Sequence, residues 1–195
     1  HEIALAGAMQ TPGCVLIAGT GSICYGKNAA GEHFRCGGGG HIIDDPGSGY
    51  ALGRAALAAA LQAEDGRRSE NALHGAVMDT VGGSGIQGIF DFVYFSRRGK
   101  GDIAALAPLV LRCAAQGDAV SLDILRRGAA ELARLNASIE SERQRHQQEA
   151  EQLRAELAKV QAKAEAAEQS HQEQRKTAAQ EAHRAAERMT KAEGE

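Results

Sequence analysis

A mixed α/β fold is predicted by this sequence: a three-stranded antiparallel meander with packed helices, followed by one long C-terminal helix. Three observations predict it. The stretch from Cys14 to Cys36 alternates β-favouring runs with turn residues; the stretch from Ser48 to Leu135 repeats apolar residues at helical spacings; and from Asn136 onward almost every residue is a strong helix former. Composition draws the same boundary. All Phe and Tyr lie before about Arg134, after which there is no aromatic, no proline and no glycine until Gly194. Residues 1–135 therefore read as a globular domain and 136–195 as a charged Ala/Glu/Gln-rich helix.

The elements follow in order. Glu2 to Met9 is Ala-rich and apolar on one side, the end of a helix that Thr11-Pro12-Gly13 closes. Cys14 to Ala18 is a short apolar strand, and Ile23 to Gly26 continues in β-favouring residues. Asn28-Ala29-Ala30-Gly31 supplies turn chemistry before the third strand, Glu32 to Cys36. Ser48 can cap a helix through Tyr50, Leu52, Leu57 and Leu61 that Gly66 ends. Further helices are expected from Asn71 to Val81, around Ile86 to Phe95, from an Asp102 N-cap through Cys113 to Gly117, and from near Asp118 into the tail without a stop. In the tail, Leu153, Leu157, Val160, Ala164 and Ala167 follow 4-3-4-3 spacing, a short coiled-coil seam through which a homodimer could form.

Charge and motif content narrow the function. Formal net charge is −3, which does not ask for nucleic acid or an anionic membrane as partner. No apolar run approaches the roughly 20 residues that span a bilayer, so a cytoplasmic protein is the expectation. Cys14, Cys24, Cys36 and Cys113 lack zinc-ligand spacing and read as small reduced side chains; no metal ligands are expected. The informative stretch is Val15-Leu16-Ile17-Ala18-Gly19-Thr20-Gly21-Ser22, an apolar strand ending in a Gly-Thr-Gly-Ser turn. Residues without side chains let backbone N–H groups approach an anion, and Thr20 and Ser22 add hydroxyls. One hairpin later comes Gly37-Gly38-Gly39-Gly40-His41-Ile42-Ile43-Asp44-Asp45-Pro46-Gly47-Ser48-Gly49-Tyr50. Asp44 reads as a turn residue, His41 as a structural histidine, and Arg97, Arg98 and Lys100 as a solvated basic connection.

The order of strand, Gly-Thr-Gly-Ser, Tyr-Gly-x-Asn-x-x-Gly hairpin, Gly-Gly-x-Gly-His and Asp-x-Gly-Ser-Gly-Tyr resembles the N-acetylglucosamine kinase branch of the BadF/BadG/BcrA/BcrD ATPase family, within the sugar kinase, actin and heat-shock chaperone superfamily. The resemblance covers about residues 1–135. It implies part of a ribonuclease H-like fold and transfer of the ATP γ-phosphate, with Mg²⁺, to a sugar hydroxyl. Gly19, Thr20, Gly21 and Ser22 would meet the ATP phosphates, Gly38, Gly39 and Gly40 would line the amino-sugar pocket, and Asp45 would accept hydrogen bonds from sugar hydroxyls.

Departures accompany the matches. The family usually has Trp or Phe at Gly39 and Glu at Pro46, and proline is expected to bias Asp45 toward an extended backbone. No catalytic residue is assigned within the chain: the resemblance places the general-base aspartate just before His1, and no adenosine motif follows Leu135. The expectation is thus a piece of an amino-sugar kinase, inactive alone. The alternative is a non-catalytic interaction protein working through its C-terminal coiled coil.

Overall fold

The computed structural model describes residues 11–192, with side chains described to residue 184. The helix expected from Glu2 to Met9 lies outside the described residues. The chain divides into two compact units, one ending at His146 and the other beginning at Gln147.

The first unit opens with β1 (Gly13–Ala18), β2 (Ser22–Lys27) and β3 (His33–Gly37), an antiparallel sheet in the order β1-β2-β3. The Gly19–Gly21 turn at one end pairs Ala18 with Ser22, and the Asn28 turn at the other leaves Lys27 opposite His33. Asn28 closes its turn with both ends of its amide: Oδ1 accepts from the Glu32 N–H at 2.9 Å and Nδ2 donates to Glu32 Oε2 at 2.6 Å. Gly31, at φ 84°, supplies the left-handed residue that the return requires.

Strand alternation puts Cys14, Cys24, Cys36 and Phe34 on one face, and a long C-terminal helix covers it. Ile139 of that helix, 1% exposed, packs over Gly26, Leu135 over Gly37, and His146 stacks on Phe34 at 4.8 Å. Burial and a hydrogen bond to Glu140 push the Cys14 thiol up to about 11, so it stays protonated at neutral pH. All four cysteines are free thiols.

Four short helices build a second layer: α1 (Gly49–Glu64), α2 (Ala72–Val81), α3 (Gly85–Phe90, running into a π-helical turn Asp91–Phe95) and α4 (Lys100–Ala104). They are followed by α5 (Ala107–Ala115) and the long α6 (Ala119–Ala192). Ser48 Oγ caps α1 by accepting from the Ala51 N–H, Asn71 caps α2, and Asp118 caps α6 through the Ser121 N–H. The core joins Leu57, Leu73, Val77, Leu106 and Val110.

Two expectations are corrected here. The buried stripe of α1 is formed by Gly53, Ala56, Leu57, Ala59, Ala60 and Ala63, while Leu52 and Leu61 only border it. Small residues bring neighbouring backbones close. The single helix expected from Asp102 to Gly117 is broken, because Pro108 has no N–H to continue it and instead sits in the first turn of α5. Asp102 is not the N-cap of α4 but its third residue, where its carboxylate accepts from the Gly99 N–H at 2.8 Å.

In the second unit the helix is solvated, and Leu153, Leu157 and Val160 are exposed. Among the described residues no single helix is long and apolar enough to cross a membrane.

Candidate functional site

The turn between β1 and β2 is held in place by the loop ahead of α1. Asp45 Oδ1 accepts from the Ser22 N–H at 3.2 Å, and the Ser22 hydroxyl donates to the Pro46 carbonyl at 2.7 Å. The first N–H groups of α1 finish the docking: Gly49 donates to the Gly19 carbonyl at 2.7 Å and Tyr50 to the Thr20 carbonyl at 3.2 Å. These are donors that a helix N-terminus cannot satisfy within itself. The carbonyls of the turn therefore face the helix. The N–H groups of Thr20 and Gly21 and the Thr20 hydroxyl have no protein acceptor among the described residues, and Gly19 and Thr20 are exposed.

Asp45 is the tightest point of the arrangement. It is 4% exposed and sits at φ 59°, in the left-handed region. The extended backbone expected ahead of Pro46 is therefore not what forms: the buried carboxylate bond to Ser22 holds Asp45 in a conformation that Asp tolerates better than most residues. A Cβ on Gly21 would lie 2.7 Å from Asp45 Oδ2, so only glycine lets the turn lie against this carboxylate.

An open cleft of about 700 Å³ lies above the turn. Gly19, Thr20, Gly21 and Ser22 line it together with Gly38, Gly40 and Asp45, so one cavity contains seven of the eight residues singled out from the sequence. Gly39 stands apart, its N–H donating to Asp44 Oδ2 at 2.7 Å. Asp44 is thus a loop-closing residue. His41 packs edge-to-face on Tyr50 at 4.7 Å. Ser22, 2% exposed, has its hydroxyl proton committed to Pro46, so the donors left to a ligand come from Thr20 and Gly21.

Beyond the strand residues Ile17 and Ile23, which flank the turn and also line the cleft, sequence reasoning missed two residues, Lys100 and Gly101. They reach it because α4 lies against the first turns of α1: a Cβ on Gly53 would overlap the Ile103 carbonyl oxygen, and one on Gly49 would touch Ala104. The available signal was Gly53 within an Ala-rich helix, a mark of close backbone approach.

Residues 3–175 match the BadF/BadG/BcrA/BcrD ATPase family. An N-acetylmuramic acid/N-acetylglucosamine kinase from Clostridium acetobutylicum is 42% identical over 132 residues, covering 67% of this chain and 43% of that protein. An N-acetyl-D-glucosamine kinase from Dictyostelium discoideum is 32% identical over 114 residues, 58% of this chain and 36% of that protein. Among solved structures, a protein provisionally described as an N-acetylglucosamine kinase from Chromobacterium violaceum superposes with a TM-score of 0.62 at 33% identity, covering 70% of this chain and 46% of that one. The chain spans less than half the length of each of these relatives. With a family match over most of its length and the two motifs joined in one cleft, this chain belongs to the BadF/BadG/BcrA/BcrD ATPase family.

Proposed function

We propose that the chain supplies the phosphate-binding turn and the amino-sugar pocket of an ATP-dependent kinase acting on N-acetylglucosamine or a close relative. The observation that carries this reading is the single cleft joining Gly19–Ser22 to Gly38, Gly40 and Asp45. In the reaction, the oxygen of a sugar hydroxyl attacks the γ-phosphorus, the bond to the bridging β,γ-oxygen breaks to release ADP, and the hydroxyl proton passes to a general base. The resemblance gives that role to an aspartate, and none of the residues that line the cleft is assigned it here.

Each residue then has a defined task. The N–H groups of Thr20 and Gly21 and the Thr20 hydroxyl, which have no protein acceptor among the described residues, fit phosphate oxygens, whose charge they meet without reorganisation. Asp45, already tied to Ser22 through Oδ1, keeps lone pairs to accept from sugar hydroxyls. Gly38 and Gly40 leave room for the sugar ring. Mg²⁺ would come on the nucleotide, where it would offset phosphate charge with few ligands from the protein.

Three further features belong to the same proposal: a ribonuclease H-like frame with residues 1–135 as its kinase part, a cytoplasmic setting, and homodimer formation along Leu153, Leu157, Val160, Ala164 and Ala167. The exposure of Leu153, Leu157 and Val160 supports the last of these.

Isothermal titration of the 195-residue chain tests the reading. Saturable binding of both ATP·Mg²⁺ and N-acetylglucosamine is expected. Absence of heat from both ligands contradicts it.

A further inference from the structure

We propose that Lys100, the first residue of α4, is the cation of the phosphate site, brought to the Gly19–Ser22 turn from far along the chain. The inference deepens the kinase reading and rests on it for the identity of the natural ligand. It begins from a charge imbalance. Among the residues lining the cleft, Asp45 is the acid and Lys100 the base. A polyphosphate seated on the turn meets the Asp45 carboxylate at close range, and without Lys100 the wall of the cleft offsets that repulsion only through neutral donors, the N–H groups of Thr20 and Gly21 and the Thr20 hydroxyl. An ammonium on the same wall reverses the balance.

The position of Lys100 is not that of a freely placed surface lysine. Its helix is fixed to α1 where Ile103 crosses Gly53 and Ala104 meets Gly49, and Gly49 itself donates to the Gly19 carbonyl. The glycine turn, the start of α1 and the start of α4 are thus linked through backbone contacts, which sets Lys100 relative to the turn. Two of its charged neighbours, Arg98 and Asp102, are engaged elsewhere. Arg98 lies over the Phe92 ring at 4.2 Å, and the Asp102 carboxylate accepts from the Gly99 N–H at 2.8 Å. Lys100 is exposed on a flexible stem and has no ion-pair partner among the described residues, so its ammonium is available to an anion.

Tripolyphosphate·Mg²⁺ is the direct probe, because it carries the phosphate chain without the adenosine. For the 195-residue chain we expect saturable tripolyphosphate binding that Lys100→Gln weakens at least tenfold and Lys100→Arg keeps within about threefold, with N-acetylglucosamine affinity unchanged in both. Far-ultraviolet circular dichroism of the variants controls for folding, and an exposed side chain can be exchanged without disturbing the core. Equal tripolyphosphate affinity in wild type and Lys100→Gln overturns the assignment while leaving the kinase reading intact. Loss of affinity in Lys100→Arg as large as in Lys100→Gln also overturns it, because charge is then not what matters. No tripolyphosphate binding by the wild type overturns it as well. Lys100-dependent tripolyphosphate binding without any sugar binding supports the assignment and contradicts the kinase reading, so the two fail separately.

Discussion

Asp45→Asn is expected to leave the protein folded within about 1 kcal/mol of wild type while lowering its affinity for N-acetylglucosamine at least tenfold; Asp45→Ala should lose the same affinity and about 2 kcal/mol of stability as well. The difference follows from the two tasks of this side chain. As a lock, Asp45 needs an acceptor for the Ser22 N–H and a residue type that tolerates φ 59°, and asparagine supplies both. As a ligand, it needs the charge that strengthens its bonds to hydroxyls, and asparagine lacks it. Alanine leaves the buried Ser22 N–H without its acceptor and puts an ordinary residue in a left-handed conformation. Urea unfolding and sugar titration of the two variants separate the tasks. Wild-type sugar affinity in Asp45→Asn would reduce Asp45 to a structural lock.

Gly53→Ala is expected to destabilise the protein by about 2 kcal/mol and to weaken polyphosphate binding at the same time. In an isolated helix the substitution would add about 1 kcal/mol of stability through propensity. Here the new methyl would overlap the Ile103 carbonyl oxygen, a backbone atom that cannot rotate aside. Relief requires α4 to move off α1, and Lys100 moves with it. Thermal unfolding together with tripolyphosphate titration measures both effects. A more stable variant that binds as wild type would show that the contact between α1 and α4 carries neither packing nor function.

Much of the fold was legible in the sequence because its determinants are local. The meander follows from alternating β-favouring residues and from Asn28 and Gly31, whose turn chemistry acts within a few residues. Ser48, Asn71 and Asp118 cap helices through bonds that reach three residues forward. The break ahead of α5 is also a local matter, since Pro108 lies inside the apolar pattern running from Asp102 and lacks the N–H that would continue the helix.

The site was legible only in part. The Gly-Thr-Gly-Ser turn and the Asp45 loop can be read as separate motifs, and the cleft brings them together. What could not be read are the contacts that join distant segments. The bond from Ser22 to Asp45 depends on a left-handed residue ahead of a proline, which local rules disfavour and which tertiary hydrogen bonding sustains. Lys100 looked like one charge in a solvated basic connection, because nothing in the residues around it records that Gly53 admits Ile103 to the surface of α1. The extent of α6 over the sheet was hidden for a similar reason. Ile139 follows Leu135 by one turn in a mostly polar stretch, and its burial depends on the side-chain-free surface of Gly26.

Nucleotide phosphates are expected to bind the Gly19–Ser22 turn through the N–H groups of Thr20 and Gly21, which have no protein acceptor among the described residues. Titrating the ¹⁵N-labelled chain with ATP·Mg²⁺ and following each backbone amide by nuclear magnetic resonance tests this most directly, and it works even when binding is weak. The account predicts that the amides of Thr20 and Gly21 shift most, with Gly101 following, while the Ser22 amide, already bonded to Asp45, shifts less. Shifts that leave Thr20 and Gly21 unmoved, or that concentrate elsewhere in the protein, contradict it.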